Sequence, residues 1–137
     1  MQMVLTLRAS GLFFDGVIMA KDDYEVIAYK ILLYLYSCMK RITVFDTDEF
    51  NKTVRKNVES DEYFANILRL MQKEGLIEGV LVKKVWGACL LISDLKDMEI
   101  TADGIRYLKD NSKIEKARTM IMESADLFSN LIGLLHL

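Results

Sequence analysis

The sequence predicts a mainly α-helical domain with one small antiparallel β-hairpin, and three observations carry that expectation. Apolar residues recur at three-and-four spacing through most of the chain. Helix-start signals built on Asp46, Ser60, Thr101 and Ser112 punctuate it. Between them, the stretch 76–93 is rich in Ile, Val, Leu and Trp, with few helix signals and with Lys83, Lys84 and Gly87 near its reversal, as a hairpin requires. At 137 residues with 52% hydrophobic content, the chain is sized for one core and is too apolar for a disordered tail. The absence of proline fits uninterrupted helices.

The elements follow in order. Residues 1–18 form an atypical N-terminal extension: Arg8 interrupts an apolar run, and residues 11–16 break helical periodicity, so the stretch suits neither a bilayer span nor a signal peptide. Met19 begins a stretch that reads as an ordinary protein start, and residues 1–18 are read either as upstream translation or as a short arm or strand packing on the domain. A first helix spans Tyr24 to Arg41, with Tyr24, Ile27, Ala28, Ile31, Leu32, Leu35 and Tyr36 in its stripe and Val26, Leu33 and Tyr34 widening it. Ile42 to Phe45 reads as a short strand. A second helix starts near Thr47, where Asp46 and Glu49 make a capping box and Phe45 with Phe50 a hydrophobic staple, and ends around Asn57.

Ser60 caps a third helix with the stripe Phe64, Ile67, Leu68 and Met71, and Gly75 supplies its left-handed stop. The hairpin follows. Thr101 caps a fourth helix with Ile100 and Ile105 as its staple, and the S-x-x-E run Ser112–Glu115 opens one long final helix over 112–137. The domain proper is thus 19–111, followed by the C-terminal helix.

Several chemistries have no support. Two cysteines, Cys38 and Cys89, and the single His136 are too few and too scattered for a structural metal site, and a nucleophile would have to recruit His136 from an apolar tail. No phosphate-binding glycine motif is present. The carboxylates cluster where helix N-termini are expected, which is their commoner use. The expectation is a non-enzymatic, cytoplasmic protein with reduced thiols and with no cofactor, metal or membrane segment.

Three helices with a short strand after the first, then a two-stranded hairpin, is the order of a winged helix-turn-helix, here followed by C-terminal helices. Two segments sharpen this: Asn66 to Val80, which looks like a third helix running into a wing, and Glu99 to Leu108, which carries T-x-x-G-x-x-Y-L as Thr101, Gly104, Tyr107 and Leu108. Together they resemble the YjcQ-like family of small bacterial and prophage-associated proteins, over about Tyr24 to Ser112. The resemblance implies a winged-helix fold, a bacterial or phage origin and an expectation of DNA binding. It brings no functional residues to transfer.

In such a domain the third helix enters the major groove. With Phe64, Ile67 and Met71 inward, Glu62, Asn66, Arg69 and Lys73 form the opposite row, where Asn and Arg suit base edges. Lys52, Arg55 and Lys56 on the second helix and Lys83 and Lys84 near the wing tip are placed for phosphates. Against this stands the charge balance. Nine Lys/Arg and eight Asp/Glu between Lys40 and Trp86 leave a net of +1, and Glu59, Asp61 and Glu62 crowd the end of the third helix that approaches phosphate.

The last helix carries two apolar stripes, one through Ile114, Ala117, Ile121, Ala125, Phe128, Ile132 and Leu135 and one through Met120, Leu127, Leu131 and Leu134. Two readings stay open: packing across the first helix, or a homodimer interface through Ile121, Ala125, Phe128, Leu131, Ile132 and Leu135. Two functions stay open with them. One is a small regulator that binds duplex DNA, and the other is an adaptor binding a protein partner through the wing or the final helix.

Overall fold

The computed structural model describes residues 11–14, 17–20, 23–56, 58, 60–85, 89–93, 95–123 and 127–137. In chain order these hold β1 (Gly11–Phe14), β2 (Val17–Ala20), α1 (Tyr24–Met39), α2 (Thr47–Thr53) and α3 (Asp61–Lys73). Then come β3 (Ile77–Glu78), β4 (Leu81–Val85), β5 (Cys89–Ser93), a 3₁₀ turn (Leu95–Asp97), β6 (Glu99–Ile100), α4 (Ala102–Lys109), α5 (Asn111–Glu123) and α6 (Leu127–Leu135). The fold is mainly helical with short antiparallel strand pairs, as the sequence predicts. Among the described residues, no helix is long and apolar enough to cross a membrane.

The core is organised around α1. Every residue from Val26 to Ser37 is buried, the pattern of a helix apolar on all sides and covered on all sides. The cover comes from α3, from β6 and α4, and from α5 and α6. Two polar residues within this run are accommodated locally. The Ser37 hydroxyl donates to the Leu33 carbonyl at 2.8 Å, and the Lys30 ammonium lies 5.5 Å from the centre of the Phe128 ring.

α1 ends two residues earlier than expected, in a Schellman motif. Arg41 adopts a left-handed conformation at φ 64°, its N–H donates to the Cys38 carbonyl at 3.1 Å, and the Ile42 N–H donates to Ser37 at 2.9 Å. The strand expected at Ile42 to Phe45 does not form. Its backbone is satisfied elsewhere: Thr43 N–H also turns to Ser37, and Asp46 N–H donates to the Tyr34 hydroxyl at 3.1 Å. Val44, 82% exposed, meets no sheet.

The Tyr34 hydroxyl modifies the expected capping box. Asp46 Oδ1 accepts from Glu49 N–H at 3.1 Å as predicted. The return contact runs through tyrosine, whose hydroxyl accepts from Asp46 N–H and donates to Glu49 Oε1 at 2.9 Å. The staple is present, with the Phe45 and Phe50 rings 5.3 Å apart and Tyr34 against both. α2 stops at Thr53, short of the expected Asn57. Beyond it Lys56 N–H and Val58 N–H bond three residues back, a tightening that carries Val54 and Val58 into the core.

Ser60 caps α3 through Tyr63 N–H at 3.1 Å, and Gly75 ends it at φ 80°. The apolar run that follows divides into two ladders rather than one hairpin. Ile77–Glu78 pairs with Glu99–Ile100, while Leu81–Val85 pairs with Cys89–Ser93. Thr101 caps α4 as expected, its hydroxyl accepting from Gly104 N–H at 3.0 Å and also donating to the Gly75 carbonyl. The glycine at 104 is dictated by close approach, since a Cβ there would lie 2.4 Å from the Leu76 carbonyl oxygen and 2.7 Å from Ile100 Cγ1.

The long final helix is instead two helices. α5 already includes Asn111, which puts Ser112 inside its first turn rather than at its cap. α6 folds back on α5, because Arg118 Nη1 donates to the Leu137 carbonyl at 3.2 Å, whereas 19 residues of straight helix would hold them about 28 Å apart. Both helices pack on α1. At the other end of the chain, β1 and β2 form a hairpin that places Met19 opposite Leu12.

Two tyrosines of α1 invite opposite outcomes on losing a hydroxyl. Tyr34→Phe strips Asp46 N–H and Glu49 of a partner and is expected to cost about 1–3 kcal/mol in urea unfolding. The Tyr29 hydroxyl is buried with no hydrogen-bond partner among the described residues, so Tyr29→Phe is expected to be neutral or stabilising. Burial also raises the Tyr24 and Tyr29 pKa values from 10.0 to about 12 and that of Cys38 from 9.0 to about 11, the last assisted by Glu49. These groups ionise more readily in the unfolded chain, so their contribution is fully present below about pH 9 and is lost as pH rises through 9–12. Unfolding free energies measured across that window should therefore fall with pH, and less steeply for Tyr29→Phe.

Candidate nucleic-acid interface

At 100° per residue, the turns of α3 divide among three surroundings. Phe64, Ile67 and Met71 are buried in the common core with α1. Ala65, Leu68 and Gln72 lie on the adjoining flank, where Gln72 Oε1 accepts from Val80 N–H at 3.1 Å, and the β4–β5 hairpin packs along the helix. The remaining arc carries Glu62, Tyr63, Asn66, Arg69, Leu70 and Lys73. All of these are exposed except Asn66, which is half-buried.

Glu62, Asn66, Arg69 and Lys73, the row read from the spacing, lie along this arc. Within it Arg69 Nε donates to Asn66 Oδ1 at 3.3 Å, so the two candidate base readers hold each other in a common orientation. Sequence periodicity passed over Tyr63 and Leu70, 37% and 39% exposed, whose seven-residue spacing puts two apolar side chains beside the polar row.

The phosphate candidates divide. Lys52 and Lys56 are exposed. Arg55 is engaged: it pairs with Asp61, stacks 4.7 Å from the centre of the Phe64 ring, and is largely buried. It clamps the end of α2 to the start of α3. That pairing also neutralises one of the two carboxylates in the first turn of α3 and leaves Glu62 in solvent. Lys83 is exposed, opposite Leu91, and Lys84 is paired opposite Leu90. The Lys84 side chain lies outside the described residues.

Five of the six residues considered for a dimer interface lie in the core of a single chain. Ile121, Phe128, Leu131, Ile132 and Leu135 are all buried within it, and Ala125 lies outside the described residues. Packing across α1 accounts for the stripe. Among the described residues, no group of three or more His, Cys, Asp or Glu is placed to hold a metal ion.

Arg55→Ala removes both the ion pair and the ring contact, and is expected to cost about 1–2 kcal/mol. Lys52→Ala, with no such contacts, should stay within about 0.5 kcal/mol in the same urea titration.

No match to the chain was found among curated proteins or among solved structures. A match to the YjcQ protein family spans residues 29–127, from the middle of α1 through α2, α3, the hairpin, α4 and α5 to the start of α6. With that span covering well over half of its length, the chain belongs to the YjcQ family.

Proposed function

We propose that this chain is a small, non-enzymatic winged helix-turn-helix protein that binds duplex DNA and acts as a regulator. The observation that carries the reading is the outward row of α3, where Asn66, Arg69 and Lys73 share one uncovered face. These are the side-chain types that pair with adenine, guanine and phosphate. Lys52 and Lys56 at the end of α2 and Lys83 on β4 supply the flanking positive charge. Membership of the YjcQ family is compatible with this role. Two copies reading two half-sites would have to associate through surface other than the buried stripe of α6, and among the described residues Met122 and Leu134 are the large apolar side chains that α5 and α6 leave exposed.

A second reading, an adaptor that binds a protein through the same face of α3, is favoured by Tyr63 and Leu70. The two separate by salt dependence. Three phosphate contacts imply roughly a fortyfold loss of affinity between about 50 and 200 mM salt, measured by fluorescence anisotropy of a labelled mixed-sequence duplex. Arg69→Ala should then cost about 1–3 kcal/mol at a selected site. Absence of DNA binding at the lower salt would remove the regulator. Capture of a protein insensitive to salt, and lost in Leu70→Ser, would establish the adaptor.

A further inference from the structure

Among the described residues, β6 is paired along one edge, to β3, and carries no strand on the other. Thr101 N–H donates to the Leu76 carbonyl at 3.1 Å, so by the alternation of an antiparallel ladder the N–H and C=O of Ile100 face away from β3. On that far side lies a cleft of about 540 Å³. Leu35, Cys38 and Met39 of α1 form its floor, Phe45 stands at one side, and the stretch from Lys96 to Ile100 forms the other. No residue of β3 lines it, which places it along the unpaired edge. The Ile100 side chain turns into the core, while Glu99 turns outward.

The chain's own β-rich stretch does not fill this edge. Ile42 and Thr43 are tied by their N–H groups to the Ser37 carbonyl, and Asp46 N–H is tied to the Tyr34 hydroxyl. Phe45 is locked among Tyr34 and Phe50. Moving 42–45 onto β6 would break all of these contacts. A second copy joined edge to edge about Ile100 would bring its Glu99 diagonal to Glu99 here on the same face, a like-charge arrangement that opposes pairing.

We propose that the β6 edge and its cleft receive an extended segment of a partner protein as an added strand, its residues alternating apolar inward and basic outward. The apolar side chains would lie over Leu35, Cys38 and Met39 beside Ile100. The basic ones would meet Glu99 and Asp97, which outnumber Lys96 on the exposed rim. The backbone of the guest would pair with the N–H and C=O of Ile100, the mode in which main-chain bonds give affinity and alternate pockets give specificity. This site does not involve α3 and stands independently of the DNA reading.

The test uses the full chain with a fluorescein-labelled heptapeptide of alternating valine and lysine, its valine–glutamate counterpart, and a valine–lysine version N-methylated at alternate amides. The lysine peptide should bind with Kd below about 1 mM, and the glutamate peptide at least about fivefold more weakly. N-methylation should cost about tenfold or more through lost main-chain bonds. Asp97→Lys with Glu99→Lys, both at exposed positions, should reverse the preference between the peptides, while Arg69→Ala should leave it unchanged. The Ile100 amide should exchange quickly in the free chain and become protected on peptide binding. Equal binding of the peptides, or none up to about 1 mM, overturns the proposal. So does an Ile100 amide already protected in the free chain, which would assign the edge to residues 42–45, or protection that depends on protein concentration, which would assign it to a second copy.

Discussion

A helix buried on every side from Val26 to Ser37 imposes a demand that no single neighbour can meet. Burial of its apolar side chains from Val26 to Tyr36, at roughly 1.5–3 kcal/mol for each large one, is the dominant favourable term, but it is gained only when all flanks of α1 are covered. The remaining elements are arranged as that cover: α3 on one flank, β6 and α4 on another, and α5 with α6 on a third. Uniform burial also explains the sparing use of polar groups in α1. Ser37 bonds within its own helix, and Lys30 lays its charge against an aromatic face. The Tyr34 hydroxyl reaches the first turn of α2.

From that hydroxyl a chain of contacts leads to the outward face of α3. Tyr34 fixes Asp46 and Glu49, and so the first turn of α2. Phe50 then packs on Phe64 with rings 6.0 Å apart, and Arg55 bridges from the far end of α2 to Asp61 and Phe64. α2 is thereby held at both ends to elements that also contact α3. The outward placement of Asn66, Arg69 and Lys73 is thus a consequence of core packing, to which the Arg69–Asn66 hydrogen bond adds only a mutual orientation. Surface residues of this kind can vary without loss of the fold.

What was legible in the sequence was local. The caps at Asp46, Ser60 and Thr101, the stop at Gly75 and the inward stripe of α3 depend on residues within four or five positions of one another, and all are present as read. What was not legible depended on distant partners. Ile42 to Phe45 has strand composition, yet its backbone is claimed by Ser37 and Tyr34. The 112–137 stretch has helical periodicity throughout, yet it reverses to cover α1 twice. Arg55 shares its residue type with the solvent-facing bases around it, and only the position of Asp61 and Phe64 in space removes it from their number.

The helical pair that completes the cover of α1 lies far from it in sequence, and this bears on how the chain is made. On a ribosome adding about 5–20 residues per second, roughly 5–20 s separate the completion of α1 from the emergence of α6. Through that interval the flank of α1 destined for Phe128, Leu131 and Ile132 stays bare, and a nascent chain of this kind is a natural client for holding chaperones. Folding of the core is thereby deferred until α6 has emerged, and a chain interrupted after α4 leaves that flank of α1 uncovered.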